Sequence, residues 1–394
     1  MDALERLKLL GEHMDLEPAE DADLRAIRAV AHAGACGGGS AGNKTHYIGH
    51  AVLPGGKQMS MLKTLLTSVC ERNCYYCPFR TGRDTRRTTF KPDEMASAFL
   101  KLHRSGQAEG IFLSSGIAGG GIRTEDRLLD TAEILRRKLG YRGYLHLKIM
   151  PGAERAQVEQ AMRLADRVSI NLEAPNTERL RALAPHKTFT EELLQPLRWI
   201  QEIRRTMPGY LGWNGYWPSS TTQFVVGGVG ESDLELLTVS ENLYRQLKLK
   251  RVYYSAFTPI ENTPLEDRPP TPAQREFRLY QASFLLRDYG FCAEEMPFDS
   301  AGQLPLNTDP KLAWAETNLS EQPIELNRAS RQELLRVPGI GPKSAERILQ
   351  YRREGQKLRL QELEDLKKIG ANPHRAAPFI LLDGKRPVYQ LRLW

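Results

Sequence analysis

The stretch Cys70-Glu71-Arg72-Asn73-Cys74-Tyr75-Tyr76-Cys77 places three of the chain's five cysteines within eight residues, at a CxxxCxxC spacing. Thiolates so crowded repel one another unless a cation or cluster neutralises them, and soft sulfur ligands select zinc, copper(I) or iron–sulfur centres. A structural zinc site takes four ligands, often as two separated pairs, and no Cys or His close by in the sequence completes such a set. An iron–sulfur cluster normally takes four cysteines. Three leave one iron of a [4Fe–4S] cluster open to a small molecule that chelates through nitrogen and oxygen. The competing reading is a set of unliganded thiols in a reducing compartment.

From Ser60 onward, short apolar segments alternate with longer amphipathic ones, the pattern of repeated βα units. Strands are expected at 61–67, 110–113, 144–150, 168–172, 222–226 and 251–256. Helices are expected at 92–103, 124–139, 154–165, 177–183, 190–206, 232–247 and 272–289. Pro92-Asp93-Glu94 suits a first helical turn, and Thr124 is expected to cap the helix that follows the second strand. Six units in a row imply a parallel sheet, short of the eight that close a TIM barrel. The fold class is therefore α/β, an open, partial (βα)6 TIM-like barrel over 55–290. Chemistry in such folds gathers at the C-terminal ends of the strands. The cysteine loop, the glycine-rich 114–121, Asn171-Leu172-Glu173 and 227–230 all fall at such ends.

The cysteine spacing, with aromatic Tyr76 before the third cysteine, resembles the signature of the radical SAM superfamily. The resemblance covers about 55–290 and implies Cys70, Cys74 and Cys77 as ligands of a [4Fe–4S] cluster whose open iron binds S-adenosylmethionine. The reduced cluster then cleaves that cofactor to a 5′-deoxyadenosyl radical. It implies that Gly119 and Gly120 match the glycine motif that meets the methionine amino group, where backbone must approach ligand without a Cβ; an ordinary turn is the alternative. Ser169, Asn171 and Glu173 alternate onto one side of a strand. Asn171 and Glu173 are the better matches to the ribose contacts, against a plain strand-end role. Residues 225–231, including Val226, loosely match the motif near the adenine, and 254–257 would add backbone contacts to the base. Arg80, Arg83, Arg86 and Arg87 follow the cluster and either bind substrate phosphate or form a solvated face.

Five cysteines, an odd number, argue against a disulfide framework, and oxygen-sensitive cluster chemistry belongs in a reducing cytoplasm. The N-terminus, MDALERLKLLGEHMDL, carries acids and lacks a continuous apolar core, so it does not read as a signal peptide. No apolar run approaches the length of a membrane span, so no membrane partner is expected. Residues 1–54 form an N-terminal extension with helices expected at 3–13 and 22–33. A glycine cluster at 34–40 follows, holding Cys36, either as a linker or as a loop closing over the active site.

The net charge of +7 is local. Residues 324–394 carry 15 Lys and Arg against 8 Asp and Glu, while the rest of the chain balances at 40 each. A neutral body with a basic appendage suggests a polyanionic partner, although a solvated face is the usual reading of such an excess. After a connector at 291–323, helices expected at 331–336 and 343–353 flank Val337-Pro338-Gly339-Ile340-Gly341-Pro342. That is a helical hairpin whose second helix offers free N–H groups to an anion. It resembles the helix-hairpin-helix motif of DNA-repair and DNA-uptake proteins. The resemblance implies one DNA phosphate held at Gly339, Gly341, Lys343 and Ser344, with protein contacts as the alternative. A degenerate copy at 360–381 lacks the second turn glycine and suits a packing partner.

Together, the two parts in 324–394 and 55–290 resemble the DNA modification/repair radical SAM proteins that accompany a uracil-DNA-glycosylase-like protein. The resemblance implies a radical SAM enzyme acting on DNA, fed by an electron donor such as flavodoxin or ferredoxin. Cys36, Cys292 or Tyr75 would return a hydrogen atom to the product radical. The alternatives are a radical enzyme acting on RNA or protein, and a non-catalytic DNA-binding protein with a structural cluster.

Overall fold

The computed structural model describes residues 2–11, 14, 47–52, 58–353 and 360–389. The helix expected at 22–33 and the glycine cluster with Cys36 lie outside the described residues. The chain divides into two compact units, residues 1–231 with 242–277, and residues 232–241 with 278–394.

The first unit is built on a seven-stranded sheet in chain order: β1 (Ile48–Val52), β2 (Gln58–Leu65), β3 (Gly110–Ser114), β4 (Tyr144–Lys148), β5 (Arg167–Ser169), β6 (Ser219–Val226) and β7 (Arg251–Ala256). β1 pairs antiparallel with β2, and every later pairing is parallel. The six parallel strands form the expected half-barrel sheet. β3, Gly-Ile-Phe-Leu-Ser, is buried along its whole length, as a strand covered on both faces must be, and it is apolar without alternation.

Helices follow the strands: α1 (Ala3–Gly11) precedes the sheet, then come α2 (Pro92–Arg104), α3 (Gly121–Glu133), α4 (Arg155–Leu164), α5 (Thr177–Leu183), α6 (Gln195–Thr206), α7 (Asp233–Gln246) and α8 (Ala273–Asp288). In α2, Pro92 occupies the first turn and the Glu94 carboxylate accepts the Lys91 N–H at 3.0 Å. Its stripe of Met95, Phe99 and Leu102 is buried.

Three local expectations change. β1 is an added strand, since five residues such as Ile-Gly-His-Ala-Val show no period until their partner is known. Thr124 does not cap α3, which starts at Gly121; its hydroxyl donates back to the Gly120 carbonyl at 2.8 Å instead. The strand expected at 168–172 is a regular strand only over Arg167–Ser169, and its pairing with β6 resumes at a bridge between Glu173, whose φ is 65°, and Phe224.

The second unit holds α9 (Pro310–Asn318), α10 (Arg331–Arg336), α11 (Pro342–Arg353), α12 (Leu363–Lys368) and α13 (Pro373–Ala376). A parallel pair, β8 (Ile324–Glu325) with β9 (Ile380–Leu381), closes it. Both hairpins feed one core, in which Leu334, Ile340 and Ile348 pack with Leu366, Ile369 and Ile380. The two turns meet directly, for the Asn372 N–H donates to the Gly339 carbonyl at 2.9 Å.

α9 lies in the segment expected to be a connector. Its signals are local: the Asp309 carboxylate accepts the Leu312 N–H at 2.9 Å, and Pro310 fills the first turn. A buried lysine obscures its apolar face. Lys311 Nζ donates to the Ile340 carbonyl at 2.6 Å and lies 4.6 Å from the Tyr289 ring centroid. Burial first, then the nearby Arg375, draws its pKa down to about 7.

Candidate active site

The cysteine loop leaves the C-terminal end of β2 and is fixed from two sides. Toward β3, the Gly116 N–H donates to the Thr67 carbonyl at 2.7 Å and the Glu71 N–H to the Ile117 carbonyl at 2.8 Å. A Cβ on Gly116 would stand 2.4 Å from the Val69 carbonyl oxygen, so only glycine permits this approach. Toward the segment after α5, the Tyr75 N–H donates to the Leu183 carbonyl at 2.9 Å. The Asn73 side chain accepts the His186 N–H at 3.2 Å, and Arg72 pairs with Glu192. Arg87 ties the far side, donating to the carbonyls of Ser68 at 2.7 Å, Phe79 at 2.8 Å and Arg80 at 2.9 Å.

Cys70, Cys74 and Cys77 line one cavity of about 120 Å³, with Tyr76, Lys148, Asn171, Glu173, Lys187 and Gln223. At its centre is a buried ion pair, Lys187 Nζ to Glu173 Oε1 at 2.8 Å, with the same ammonium 3.1 Å from the Tyr76 hydroxyl. Burial disfavours the Glu173 carboxylate, but Lys187 and then Lys148 outweigh it and hold the group below the usual carboxylate range. Burial likewise opposes the charge on Lys187, and Cys74 and Glu173 overcome it. Burial raises the thiols of Cys74 and Cys77, and a cluster reverses that penalty by binding the thiolates.

The other candidate residues fall as follows. Tyr76, Asn171 and Glu173 line the cavity. The Gly119 and Gly120 N–H groups each donate to the Glu71 carboxylate at 3.1 Å, joining the glycine turn to the cysteine loop, and neither residue lines the cavity. Ser169 is bonded to His146 Nε2 at 2.9 Å. The carbonyl of the buried Val226 accepts from the Phe257 N–H at 2.8 Å and the Thr271 hydroxyl at 2.7 Å. Arg83 donates to the Pro78 carbonyl at 2.7 Å, so with Arg87 it braces the loop, whereas Arg86 is exposed. Cys292, in the second unit, donates to Glu295 Oε2 at 3.2 Å and is not among the cavity's lining residues.

Lys187 escaped the sequence reading. It sits in Pro185-His186-Lys187-Thr188, a loop without period, and contacts from Arg72, Asn73 and Tyr75 to the surrounding segment bring it to the cavity. Replacing Lys187 by Met takes away the ion-pair partner of the buried Glu173 and leaves Lys148 to offset its charge. The expected outcome is a loss of about 3–5 kcal/mol in unfolding free energy, the usual result of removing one partner of a buried pair. Denaturant unfolding checks this. Restoration of most of that loss by the double variant Lys187→Met with Glu173→Gln would show that the orphaned charge is the cause.

The donor set fits an iron–sulfur cluster. Cys70, Cys74 and Cys77 line one cavity, and a cluster takes one cysteine at each of three separate irons. Beside the thiols, Glu173 Oε2 is buried without a hydrogen-bond partner, an acceptor left for a ligand hydroxyl.

A half-barrel of six parallel strands with three thiols at the mouth of the first is the frame of a radical SAM domain, and enzymes of that superfamily bind a [4Fe–4S] cluster and S-adenosylmethionine. Residues 64–239 match the family described as the radical SAM superfamily, and residues 320–377 match the helix-hairpin-helix motif. Among solved structures the chain resembles the FeFe-hydrogenase maturase HydG from Carboxydothermus hydrogenoformans, at 16% identity and TM-score 0.46, over 58% of this chain and 51% of that one. It also resembles methylornithine synthase (PylB), at 15% identity and TM-score 0.46, over 73% of this chain and 76% of that one. The chain thus spans about half the length of the HydG chain it matches. No curated protein matches it in sequence.

Proposed function

We propose that this radical SAM enzyme acts on DNA that its helix-hairpin-helix region holds by the backbone. The observation that carries the reading is at the start of α11. Ser344 is 5% exposed, and among the described residues nothing hydrogen-bonds its hydroxyl, yet it lines an open depression together with Lys343 and Gly341. Lys343 is exposed and has no ion-pair partner among the described residues. The first hydrogen bond of the helix is made by the Ala345 N–H to the Gly341 carbonyl, which leaves the amides of the first turn to an outside acceptor. First-turn amides, a serine hydroxyl and an ammonium at one helix start suit a phosphate.

In the first unit, Cys70, Cys74 and Cys77 would hold the cluster, and Glu173, fixed by Lys187, would offer Oε2 to a ribose hydroxyl of S-adenosylmethionine. Asn171 would meet the same sugar, and Tyr76 would stand beside the cluster. When bound, the cluster and cofactor supply a carbon-centred radical that abstracts hydrogen, and the protein supplies position and dryness. A nucleotide must leave the base stack to enter an enclosed cavity. Hydrogen return by Cys36, Cys292 or Tyr75 belongs to the proposal, as do a uracil-DNA-glycosylase-like partner and a flavodoxin or ferredoxin donor.

The test is anaerobic reconstitution of the full chain, reduction in the presence of S-adenosylmethionine, and assay of 5′-deoxyadenosine with duplex DNA, RNA of equal length, or neither. The expected result is several-fold stimulation by DNA alone. Stimulation by RNA and not DNA, or by neither, would overturn the substrate class while leaving the enzyme class intact.

A further inference from the structure

We propose that Arg80 grips one backbone phosphate at the rim of the active-site cavity, beside the nucleotide that the cavity takes. This rests on the DNA reading above and gives it a contact in the first unit. Cys77, Pro78 and Phe79 line the cavity. Arg80 is the next residue and not among the lining residues, and its N–H donates to the Cys77 carbonyl at 3.2 Å, which fixes its backbone to that wall. The loop it opens, Arg80-Thr81-Gly82-Arg83-Asp84-Thr85-Arg86-Arg87, carries four arginines and one carboxylate. The chain outside 324–394 balances its charges, so this excess is local. Asp84 is exposed and pairs with none of the four arginines.

The four arginines differ in what they hold. Arg87 is committed inside the loop, where Nη1 donates to the Ser68 and Phe79 carbonyls and Nη2 to those of Arg80, at 2.9 Å, and Arg83, at 3.4 Å. Arg83 donates to the Pro78 carbonyl. Arg80 braces nothing. None of its N–H donors meets a protein acceptor among the described residues, and its guanidinium lies over the Tyr75 ring, 5.3 Å from the centroid. The ring orients the fork without occupying its donors, and planar, bidentate recognition of phosphate is what arginine does better than lysine. Arg80 Nε is withdrawn from water and the Nη groups are not, which leaves the outer edge of the fork to an anion. Two further polar atoms of the same loop, Arg83 Nε and Thr85 Oγ1, are buried without a partner. Buried polar atoms left unpaired are rare and destabilising, so a cluster of them in one basic loop points to an acceptor from outside the chain. Arg86 is exposed, and no ring or hydrogen bond among the described residues fixes it. It therefore serves as the control for charge without a site.

The experiment is the salt dependence of binding of the full chain to a labelled duplex DNA, followed by fluorescence anisotropy. Each phosphate neutralised adds about 0.9 to the magnitude of the slope of log K against log salt concentration. Arg80 holds one phosphate, so Arg80→Gln is expected to lower the slope by about 0.9, and Lys343→Gln, at the hairpin, by the same amount. Arg80→Lys, which keeps the charge, should retain the slope and bind several-fold more weakly, because the fork is lost. Arg86→Gln should leave the slope at the parent's value. An unchanged slope in Arg80→Gln, with Lys343→Gln still lowering it, would overturn the grip and leave the hairpin site standing. Equal losses from Arg80→Gln and Arg86→Gln would make the loop a diffuse basic face and overturn the grip as well. No effect of Arg80→Gln or of Lys343→Gln would overturn the DNA reading itself. A slope lowered with RNA but not with duplex DNA would overturn the grip as stated. Arg80→Gln should also melt with the parent and take up the same iron and sulfide on reconstitution. A lowered slope found only together with a lost cluster would assign the arginine to bracing the cysteine loop and overturn the grip.

Discussion

Cys74→Ala is expected to yield a folded protein that holds little iron and sulfide after reconstitution and makes no 5′-deoxyadenosine. Cys74 is 6% exposed on a loop held by contacts from Arg72, Asn73 and Tyr75, so the loop keeps its course without the thiol. Removing one of three cysteine ligands leaves two irons without protein ligands, and the remaining crowded thiolates lose the cation that neutralised them. Cys70→Ala and Cys77→Ala should behave alike. The measurement is iron and sulfide content beside 5′-deoxyadenosine yield. A Cys74→Ala protein that keeps a full cluster and cleaves S-adenosylmethionine would refute the assignment of ligands.

The second large effect separates two glycines that look equivalent in the sequence. Gly339 has φ of +85°, and a Cβ there would stand 2.4 Å from the Asn372 carbonyl oxygen and 3.2 Å from the Arg375 Cβ. Left-handed backbone strain and overpacking each cost about 1–3 kcal/mol, so Gly339→Ala should destabilise the second unit by about 2 kcal/mol or more. Gly341 has no such φ, and its added Cβ would meet only the Tyr289 hydroxyl, at 3.4 Å. Gly341→Ala should therefore melt with the parent. Chemical unfolding followed in the helical signal distinguishes the two, and equal stability of both variants would mean that the turns do not pack as described.

The fold was legible where composition and period coincide. A fully buried β3 has to read as an apolar run, and Pro92 with Glu94 announces α2 before any packing is known. The hairpin helix α10 has the bounds expected, 331–336, and the structure shows Ser330 and Glu333 forming a reciprocal cap at its start. The cysteine loop was legible because its spacing is local. What stayed hidden depends on contacts between distant segments. Lys187 joins the cavity 111 residues after Tyr76 in the chain, and no local pattern marks it. The positive φ of Glu173 is likewise invisible, since glutamate rarely adopts it and only the closing of β5 against β6 imposes it. The arginines after the cluster were ambiguous for the opposite reason. Basic residues beside a site look alike whether they meet phosphate or, as Arg83 and Arg87 do, brace backbone carbonyls.

The lysine beneath the hairpin turn makes folding of the second unit a proton-releasing reaction. In the unfolded chain the Lys311 amine has the ordinary value for lysine, about 10.4, whereas in the folded unit it falls to about 7. Between those values the unfolded chain binds more protons than the folded one, so stability rises with pH across that interval and is lowest below it. The neutral amine still donates to the Ile340 carbonyl, so shedding the proton relieves a buried charge without surrendering the bond. Alkaline buffer, which weakens most proteins rich in ion pairs, would through this group tighten the turn on which α11 is mounted.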